Sequence, residues 1–159
     1  MKDTYLAAAE RIRRELVGIR READKASRNW QRAKVSGDEA YVDSVALSLH
    51  SFYTGVERVF EMIATSIDQS IDQSMPSGEH WHQALLEQMA NESPGVRPAV
   101  IGSETQTALN ELRRFRHVVR NAYTYDFDPV KLEAIVSILP TAEALVNREL
   151  SAFADFWRL

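Results

Sequence analysis

The sequence predicts an all-α protein, an up-and-down bundle of five to six helices in a single domain over residues 1–159. Apolar residues recur at intervals of three and four, which is the periodicity of one face of an α-helix. Only 6 glycines and 5 prolines interrupt the chain, which favours long helices with few turns. No stretch combines two-residue alternation with β-branched residues, the pattern of a half-buried strand. The hydrophobic fraction of 45% is sufficient for a normal core.

Two long helices are predicted in the first half of the chain. The first spans about Thr4 to Lys34, and the second runs from Glu39 to about Ser74. The turn between them is Ser36-Gly37-Asp38, with Asp38 as the capping residue of the second helix. The tandem repeat Ile-Asp-Gln-Ser, at 67–70 and 71–74, is interpreted as one added turn of that helix. The apolar stripe of the second helix consists of Tyr41, Val45, Leu49, Phe52, Val56, Phe60, Ile63 and Ile67.

A short third helix and a longer fourth helix are predicted in the middle of the chain. Pro76 and Gly78 end the preceding pattern, and the third helix spans about Glu79 to Glu92. The segment Ser93-Pro94-Gly95-Val96-Arg97-Pro98 has the composition of a connecting loop. Ser103 is predicted to cap the fourth helix, which runs to about Tyr123 or Thr124.

Two closing helices are predicted at the end of the chain. Asp128-Pro129 combines a capping residue with a first-turn proline and starts a helix over Pro129–Leu139. Pro140 is expected to end it, because proline lacks the N–H of the helical ladder and clashes with the preceding turn. Thr141 then caps a last helix that carries the final apolar residues.

Composition excludes several classes of protein. The absence of cysteine excludes disulfides, thiolate catalysis and cysteine-ligated metal centres. No apolar run approaches the roughly 20 residues that a membrane span needs, and the charged N-terminus lacks an apolar signal core. A cytoplasmic protein without a membrane segment is therefore expected. The net charge of −4 does not by itself indicate nucleic-acid binding.

No metal centre and no cofactor are expected. Phosphate-loop, dinucleotide and nucleophile-triad patterns are absent. His80 and His82 are two residues apart and therefore lie on different helix faces, so we interpret them as surface residues beside a loop. His50 is interpreted as a polar residue at the edge of a packed helix, and His117 has no carboxylate nearby at metal-ligand spacing.

The fourth helix has a dense polar face near its C-terminal end. At about 100° per residue, the polar side chains share an arc of about 160°, and the apolar side chains of the same segment take the opposite arc. Guanidinium groups pair with phosphate oxygens and imidazole moves protons near neutral pH, so this face suits phosphate chemistry. The residues of this face, called the polar strip, are Arg113, Arg116, His117, Arg120, Asn121, Tyr123 and Thr124.

Two readings of the polar strip are open from spacing alone. One is a solvated arginine face, as on many surface helices. The other is a functional site, because Arg116 and Arg120 are four apart and repel each other unless they share an anion. In the functional reading Arg113 and Arg120 are candidate substrate-binding residues.

The polar strip also resembles the signature of a known family. The pattern Arg116-x4-Asn121-x-Tyr123 is similar to R-x4-H-x-Y, the signature of HEPN-domain ribonuclease toxins of the HepT type. The surrounding segment from Glu111 to Tyr123, with Phe127-Asp128-Pro129 after it, resembles a HepT-like subgroup. The segment from Leu47 to Arg58 in the second helix resembles the same subgroup.

The resemblance implies a homodimer in which two signature helices face each other across a shared cleft. Such ribonucleases cleave RNA without a metal, and Arg116 would hold the scissile phosphate. HepT toxins are paired with a small nucleotidyltransferase antitoxin of the MNT type. That antitoxin can transfer AMP to the signature tyrosine, which matches Tyr123 here.

One position departs from the signature. The signature histidine is replaced by Asn121, whose amide neither donates nor accepts a proton near pH 7. His117, one turn earlier on the same side, either supplies the proton transfer or only orients Arg116. The candidate catalytic set is therefore Arg116, His117 and Asn121. Two functions stay open: a metal-independent endoribonuclease, and a weak or inert HEPN module that binds RNA, nucleotide or a nucleotidyltransferase.

Overall fold

A computed structural model describes residues 2–68, 75–121 and 128–158, with the side chains of 117–121 outside the description. The predicted all-α bundle is confirmed, since the described residues hold no strand beyond an isolated bridge between Ser93 and Arg97. Their helices are α1 (Lys2–Ser36), α2 (Glu39–Ser66), α3 (Trp81–Ala90), α4 (Ser103–Asn121) and α5 (Pro129–Phe156).

α1 and α2 form a long antiparallel pair joined by the predicted tight turn. Gly37 has φ of 69°, a left-handed conformation that glycine adopts without a Cβ clash. The Asp38 carboxylate accepts a hydrogen bond from the N–H of Ala40 at 2.9 Å, which confirms the predicted cap. The first two helices therefore start and stop where local sequence signals placed them, apart from the end of α2.

The remaining helices pack around this pair. α1 and α4 are each packed against both α2 and α5, so α1 and α4 take diagonal positions in the bundle. α3 packs against α2 and α4. One hydrophobic cluster contains buried residues from all five helices. None of the described helices is long and apolar enough to cross a membrane.

α2 ends earlier than predicted. The helix stops at Ser66, and the extension to Ser74 is wrong for residues 67 and 68; residues 69–74 lie outside the described residues. Asp68 instead meets Arg97 in a bidentate ion pair, with Nε to Oδ1 at 2.6 Å and Nη2 to Oδ2 at 3.0 Å. Neither side chain has exposed surface. This buried pair fixes the end of α2 to the predicted 93–98 loop.

α5 is continuous through Pro140, so the prediction of two closing helices with Thr141 as a cap is wrong. Leu139 and Ala142 are both fully buried, and the core therefore holds the helix on either side of the proline. Pro140 itself is exposed, where water can replace the missing hydrogen bond of the helical ladder. Burial of both flanks outweighs the local stop signal.

The starts of α4 and α5 depend on two carboxylates. Asp128 accepts from the N–H of Val130 at 3.0 Å, which confirms the predicted cap of α5. For α4 the capping group is Glu149 of α5, which accepts from the N–H of Gly102 and from the Thr105 hydroxyl. Ser103, predicted as the cap, is the first residue of the helix. A carboxylate at a helix N-terminus also interacts favourably with the helix dipole.

Candidate functional site

The register of α4 is set by its apolar residues. Leu112 and Phe115 are buried in the core, which leaves Arg113 and Arg116 at the half-buried side and Arg114 exposed. This is the separation of faces that the sequence predicts for this part of the helix. Arg116 is thereby brought against α2, on which α4 packs.

Arg116 is held in place by two residues of α2. Its side chain is 15% exposed, and its Nη1 donates to Oε1 of Glu57 at 3.2 Å. The guanidinium carbon lies 5.8 Å from the ring centroid of Tyr53, within the range of a cation–π interaction. The Nε–H of Arg116 is buried and has no hydrogen-bond partner among the described residues. The guanidinium is therefore fixed in position while at least one donor is not used by described groups.

Glu57 is a buried carboxylate shared between two helices. Its side chain is 6% exposed, and its second oxygen, Oε2, lies 2.6 Å from Nδ1 of His82 on α3. The ring of His82 contacts the ring of Trp81, with centroids 3.7 Å apart and the two planes tilted by 31°. The interpretation of His82 as a surface residue is wrong, because its side chain is only 23% exposed and contacts Glu57. His80 is exposed, as predicted.

These four residues form one unit, called here the Arg116 cluster: Tyr53, Glu57, His82 and Arg116. Burial raises the pKa of the Tyr53 phenol well above its ordinary value, and the nearby negative charge of Glu57 raises it further. The positive charges of Arg113 and Arg116 act in the opposite direction with smaller effect. Tyr53 therefore stays a neutral phenol, and the charges of the cluster are carried by Glu57, Arg116 and, when protonated, His82.

The arrangement can present an oriented cation. Glu57 accepts from Nη1, and the guanidinium carbon lies over the ring of Tyr53. A guanidinium has five N–H donors in a fixed fork that matches phosphate oxygens. A fixed fork loses less conformational entropy on binding an anion than a mobile surface arginine does.

The other members of the polar strip have different surroundings. Arg113 donates to Oδ1 of Asn110 on its own helix, from Nε at 3.0 Å and Nη2 at 2.8 Å. His117, Arg120 and Asn121 belong to α4, but their side chains lie outside the described residues. Tyr123 and Thr124 lie outside them entirely. Of the two predicted site residues with described side chains, Arg116 belongs to the Arg116 cluster, and Arg113 acts on Tyr53 of that cluster through its charge.

The reading of the polar strip as a solvated arginine face is wrong for Arg116. Its anionic partner among the described residues is an internal carboxylate, Glu57, which the spacing argument did not identify. Arg114 does fit a solvated face: its side chain is 62% exposed and pairs with the exposed Glu111.

Sequence reasoning missed Glu57, His82 and Tyr53. A signal for Glu57 was present, because it follows Tyr53 by four residues and precedes Phe60 by three, inside the apolar stripe of α2. A charged side chain at a core position requires a partner. His82 offered no such signal, since its partner is 25 residues away. Among the described residues, no group of three or more His, Asp or Glu could hold a metal ion.

Comparison with known proteins gives one match. A family model described as "HepT-like protein" matches residues 44–157 of the chain. The matched segment includes all four residues of the Arg116 cluster and most of α2, and it leaves α1 outside. No curated protein and no solved structure matches the chain.

Proposed function

The chain belongs to the HepT-like family, and from this premise we propose that it is a HEPN-type toxin that cleaves RNA without a metal in a cleft between two copies of the chain. The observation that carries the proposal is the fixed guanidinium of Arg116, held by Glu57 and Tyr53. Arg116 is also the arginine of the signature that the sequence resembles.

In this proposal Arg116 binds the scissile phosphate and stabilises the charge that develops on its oxygens. Preorganised donors are effective because they do not reorganise during the reaction. Glu57 and His82 are positioning residues, since Glu57 orients the guanidinium and His82 holds the other carboxylate oxygen. Arg113 and Arg120 contact phosphates that flank the scissile one.

The reaction is attack of a ribose 2′-hydroxyl on the adjacent phosphorus. The 2′-oxygen–phosphorus bond forms, the bond to the 5′-oxygen breaks, and the products are a 2′,3′-cyclic phosphate and a 5′-hydroxyl. A base takes the 2′-hydroxyl proton, and an acid gives one to the 5′-oxygen. His117 carries proton transfer, and Asn121 positions the substrate through its amide.

The proposed assembly is a homodimer, because one helix face cannot enclose a phosphodiester. A nucleotidyltransferase antitoxin is the proposed partner, and it transfers AMP from ATP to the Tyr123 phenol. The phenol loses its proton, its oxygen forms a bond to the α-phosphorus, and pyrophosphate leaves. The added phosphate places a negative charge in the cleft, which repels RNA. Mass spectrometry of the protein co-expressed with a nucleotidyltransferase of the MNT type tests this step. Absence of added AMP on every tyrosine contradicts it.

A second candidate is a HEPN module that binds RNA, nucleotide or its partner without cleavage. Two observations favour it: Asn121 occupies the position of the signature histidine, and the charge of Arg116 is already paired with Glu57. An arginine neutralised by a carboxylate attracts phosphate less strongly than an unpaired one.

Cleavage of RNA in EDTA separates the two candidates. Wild type is compared with Arg116→Lys and His117→Ala, and Arg114→Ala serves as the matched control on the exposed face of α4. Lysine keeps a cation beside Glu57 but lacks the fork, so the variant tests phosphate recognition without leaving a buried charge unpaired. We expect loss of about 10²-fold or more in kcat for Arg116→Lys and His117→Ala, and little change for Arg114→Ala.

The outcomes are distinct. Wild type that binds RNA but does not cleave it supports the second candidate. Equal cleavage by all four proteins indicates a contaminating nuclease and refutes the assignment of the site. A loss of kcat in Arg114→Ala as large as that in Arg116→Lys also refutes the assignment of the site.

A further inference from the structure

α1 carries a row of positive charges along its outer face. At about 100° and 1.5 Å per residue, six cations of α1 share an arc of about 100° over about 30 Å of helix. All six are exposed, and their spacing along the chain is three, seven, four, three and four residues. These residues, called the basic stripe, are Arg11, Arg14, Arg21, Lys25, Arg28 and Arg32.

The basic stripe is not paired with acidic side chains among the described residues. None of its six cations forms an ion pair with an acidic side chain in the part of the chain that the structure describes. Gly18 fills the gap between Arg14 and Arg21, and nothing lies within 4 Å of where its Cβ would be. Like charges three and four residues apart on a helix destabilise it. Acids at the same spacing, such as Glu10 before Arg14 and Asp24 before Arg28, offset part of this repulsion, and a bound polyanion would relieve the rest.

The net charge of the chain conceals this asymmetry. α1 has ten basic and five acidic side chains, while the whole chain has 19 basic and 23 acidic ones. α1 therefore carries a positive excess, and the chain outside α1 is acidic in sum although α4 has four arginines and two glutamates. Glu10, which pairs with Arg13, lies within the arc at its N-terminal end. Glu15 and Glu22 flank the row on one side and Asp24 flanks it on the other, which limits the positive surface to a single row.

The basic stripe is separate from the Arg116 cluster. The buried face of α1, which includes Ile12, Leu16 and Ile19, packs against α2 and α5, so the stripe points away from them. α1 is diagonal to α4 in the bundle. The stripe also precedes the segment that matches the family model, residues 44–157.

We propose that the basic stripe binds the phosphate backbone of RNA and docks the substrate on a surface distinct from the Arg116 cluster, an inference that rests on the proposed function. Five of its six cations are arginine, whose fork matches phosphate oxygens. A nucleic-acid strand carries one phosphate per roughly 3.4 Å, so about nine phosphates span the 30 Å row. One exposed apolar side chain, Val17, borders the row, whereas the centre of a protein interface is apolar as a whole. These features favour RNA over an acidic protein.

Binding to a single-stranded 2′-O-methyl RNA, which has no 2′-hydroxyl to react, tests the inference independently of cleavage. The stripe variant is Arg21→Gln/Lys25→Gln/Arg28→Gln. The control is Lys34→Gln/Lys131→Gln/Arg148→Gln, which removes the same charge from exposed positions outside the stripe. The Kd of each protein is measured by fluorescence anisotropy over a series of salt concentrations.

The expected loss follows from counterion release. Each phosphate contact contributes about 0.7 to the slope of log K against log salt for a single strand, so three lost contacts lower the slope by about 2. The same relation gives a roughly hundredfold weaker Kd at about 0.1 M salt. The control triple is expected to bind within about threefold of wild type, because it changes only the long-range charge.

Three results overturn the inference. One is equal Kd and slope for the stripe and control triples. Another is a stripe triple that loses binding to polyglutamate and keeps its binding to RNA, which assigns the stripe to an acidic protein. The third is wild type that does not bind the RNA at all, which also contradicts the proposed function.

The two proposals fail in different ways. Wild type that shows stripe-dependent binding but no cleavage in EDTA refutes the nuclease and supports the docking surface. Cleavage that depends on Arg116, together with binding unaffected by the stripe triple, supports the nuclease and refutes the docking surface.

Discussion

Glu57 and Arg116 are expected to be energetically coupled, and a double-mutant cycle measures the coupling. The variants are Glu57→Gln, Arg116→Gln and the double substitution. The two charged atoms are 3.2 Å apart, and the side chains are 6% and 15% exposed. Two unit charges at that distance attract by about 5 kcal/mol at an effective dielectric constant of about 20. Desolvation offsets much of this, and a hydrogen bond between charged groups contributes a net of about 1.5–3 kcal/mol.

The single and double variants differ in a defined way. Glu57→Gln leaves the Arg116 charge partly buried and unpaired, so we expect a loss of about 3 kcal/mol in the free energy of unfolding. At about 2–4 °C per kcal/mol for a chain of this size, Tm falls by about 6–12 °C. The double variant is expected to lose about 2 kcal/mol less than the sum of the single losses, because no unpaired charge is left. Urea unfolding at neutral pH gives the free energies.

The exposed pair Glu111–Arg114 is the matched control. Its atoms are also 3.2 Å apart, but its side chains are 49% and 62% exposed. Its coupling is therefore expected to be below about 1 kcal/mol. Equal coupling for the two pairs, or less than about 0.5 kcal/mol for Glu57–Arg116, refutes the view that Glu57 fixes the guanidinium.

Three further substitutions test other parts of the structure. Above pH 10 the unfolded chain ionises Tyr53, while the folded phenol stays protonated because burial raises its pKa. In urea unfolding, wild type is therefore expected to lose up to about 1.4 kcal/mol of unfolding free energy per pH unit more than Tyr53→Phe. Parallel pH profiles of the two proteins contradict this. Arg97→Met leaves the buried Asp68 carboxylate without its cation, so we expect the free energy of unfolding to fall by about 3–5 kcal/mol. Adding Asp68→Asn is expected to recover part of this loss. A fall of less than about 1 kcal/mol in urea unfolding argues against the ion pair. Pro140→Ala is expected to raise the free energy of unfolding by about 2 kcal/mol. Alanine is favoured over proline inside a helix by about 3 kcal/mol, and losing the restriction that proline places on the unfolded chain costs about 1 kcal/mol of that gain. A lower Tm contradicts a continuous α5.

Much of the fold could be predicted because its signals are local. Asp38 and Asp128 cap their helices through hydrogen bonds that span two residues, and the three-four spacing of apolar residues sets which face is buried. The errors occur where contacts between residues far apart in the sequence determine where a helix ends. α2 ends at Ser66, where Asp68 pairs with Arg97 at a separation of 29 residues. α5 passes Pro140 because the core holds both of its flanks.

The candidate site likewise has some features that the sequence predicts and others that only the packing of the helices determines. The sequence by itself determined that α4 presents arginines on one side and that Arg116 lies within a pattern that resembles a family signature. Only the tertiary structure decided that Arg116 is fixed on Glu57, 59 residues away, and that His82 shares the same carboxylate. The sequence also contained the spacing of the basic stripe, but the exposure of its side chains, and the absence of an ion pair to them among the described residues, depend on how α1 packs. The physical reason is that helical periodicity fixes which face a side chain takes, whereas its partner depends on the register between helices, which the packing of the whole core sets.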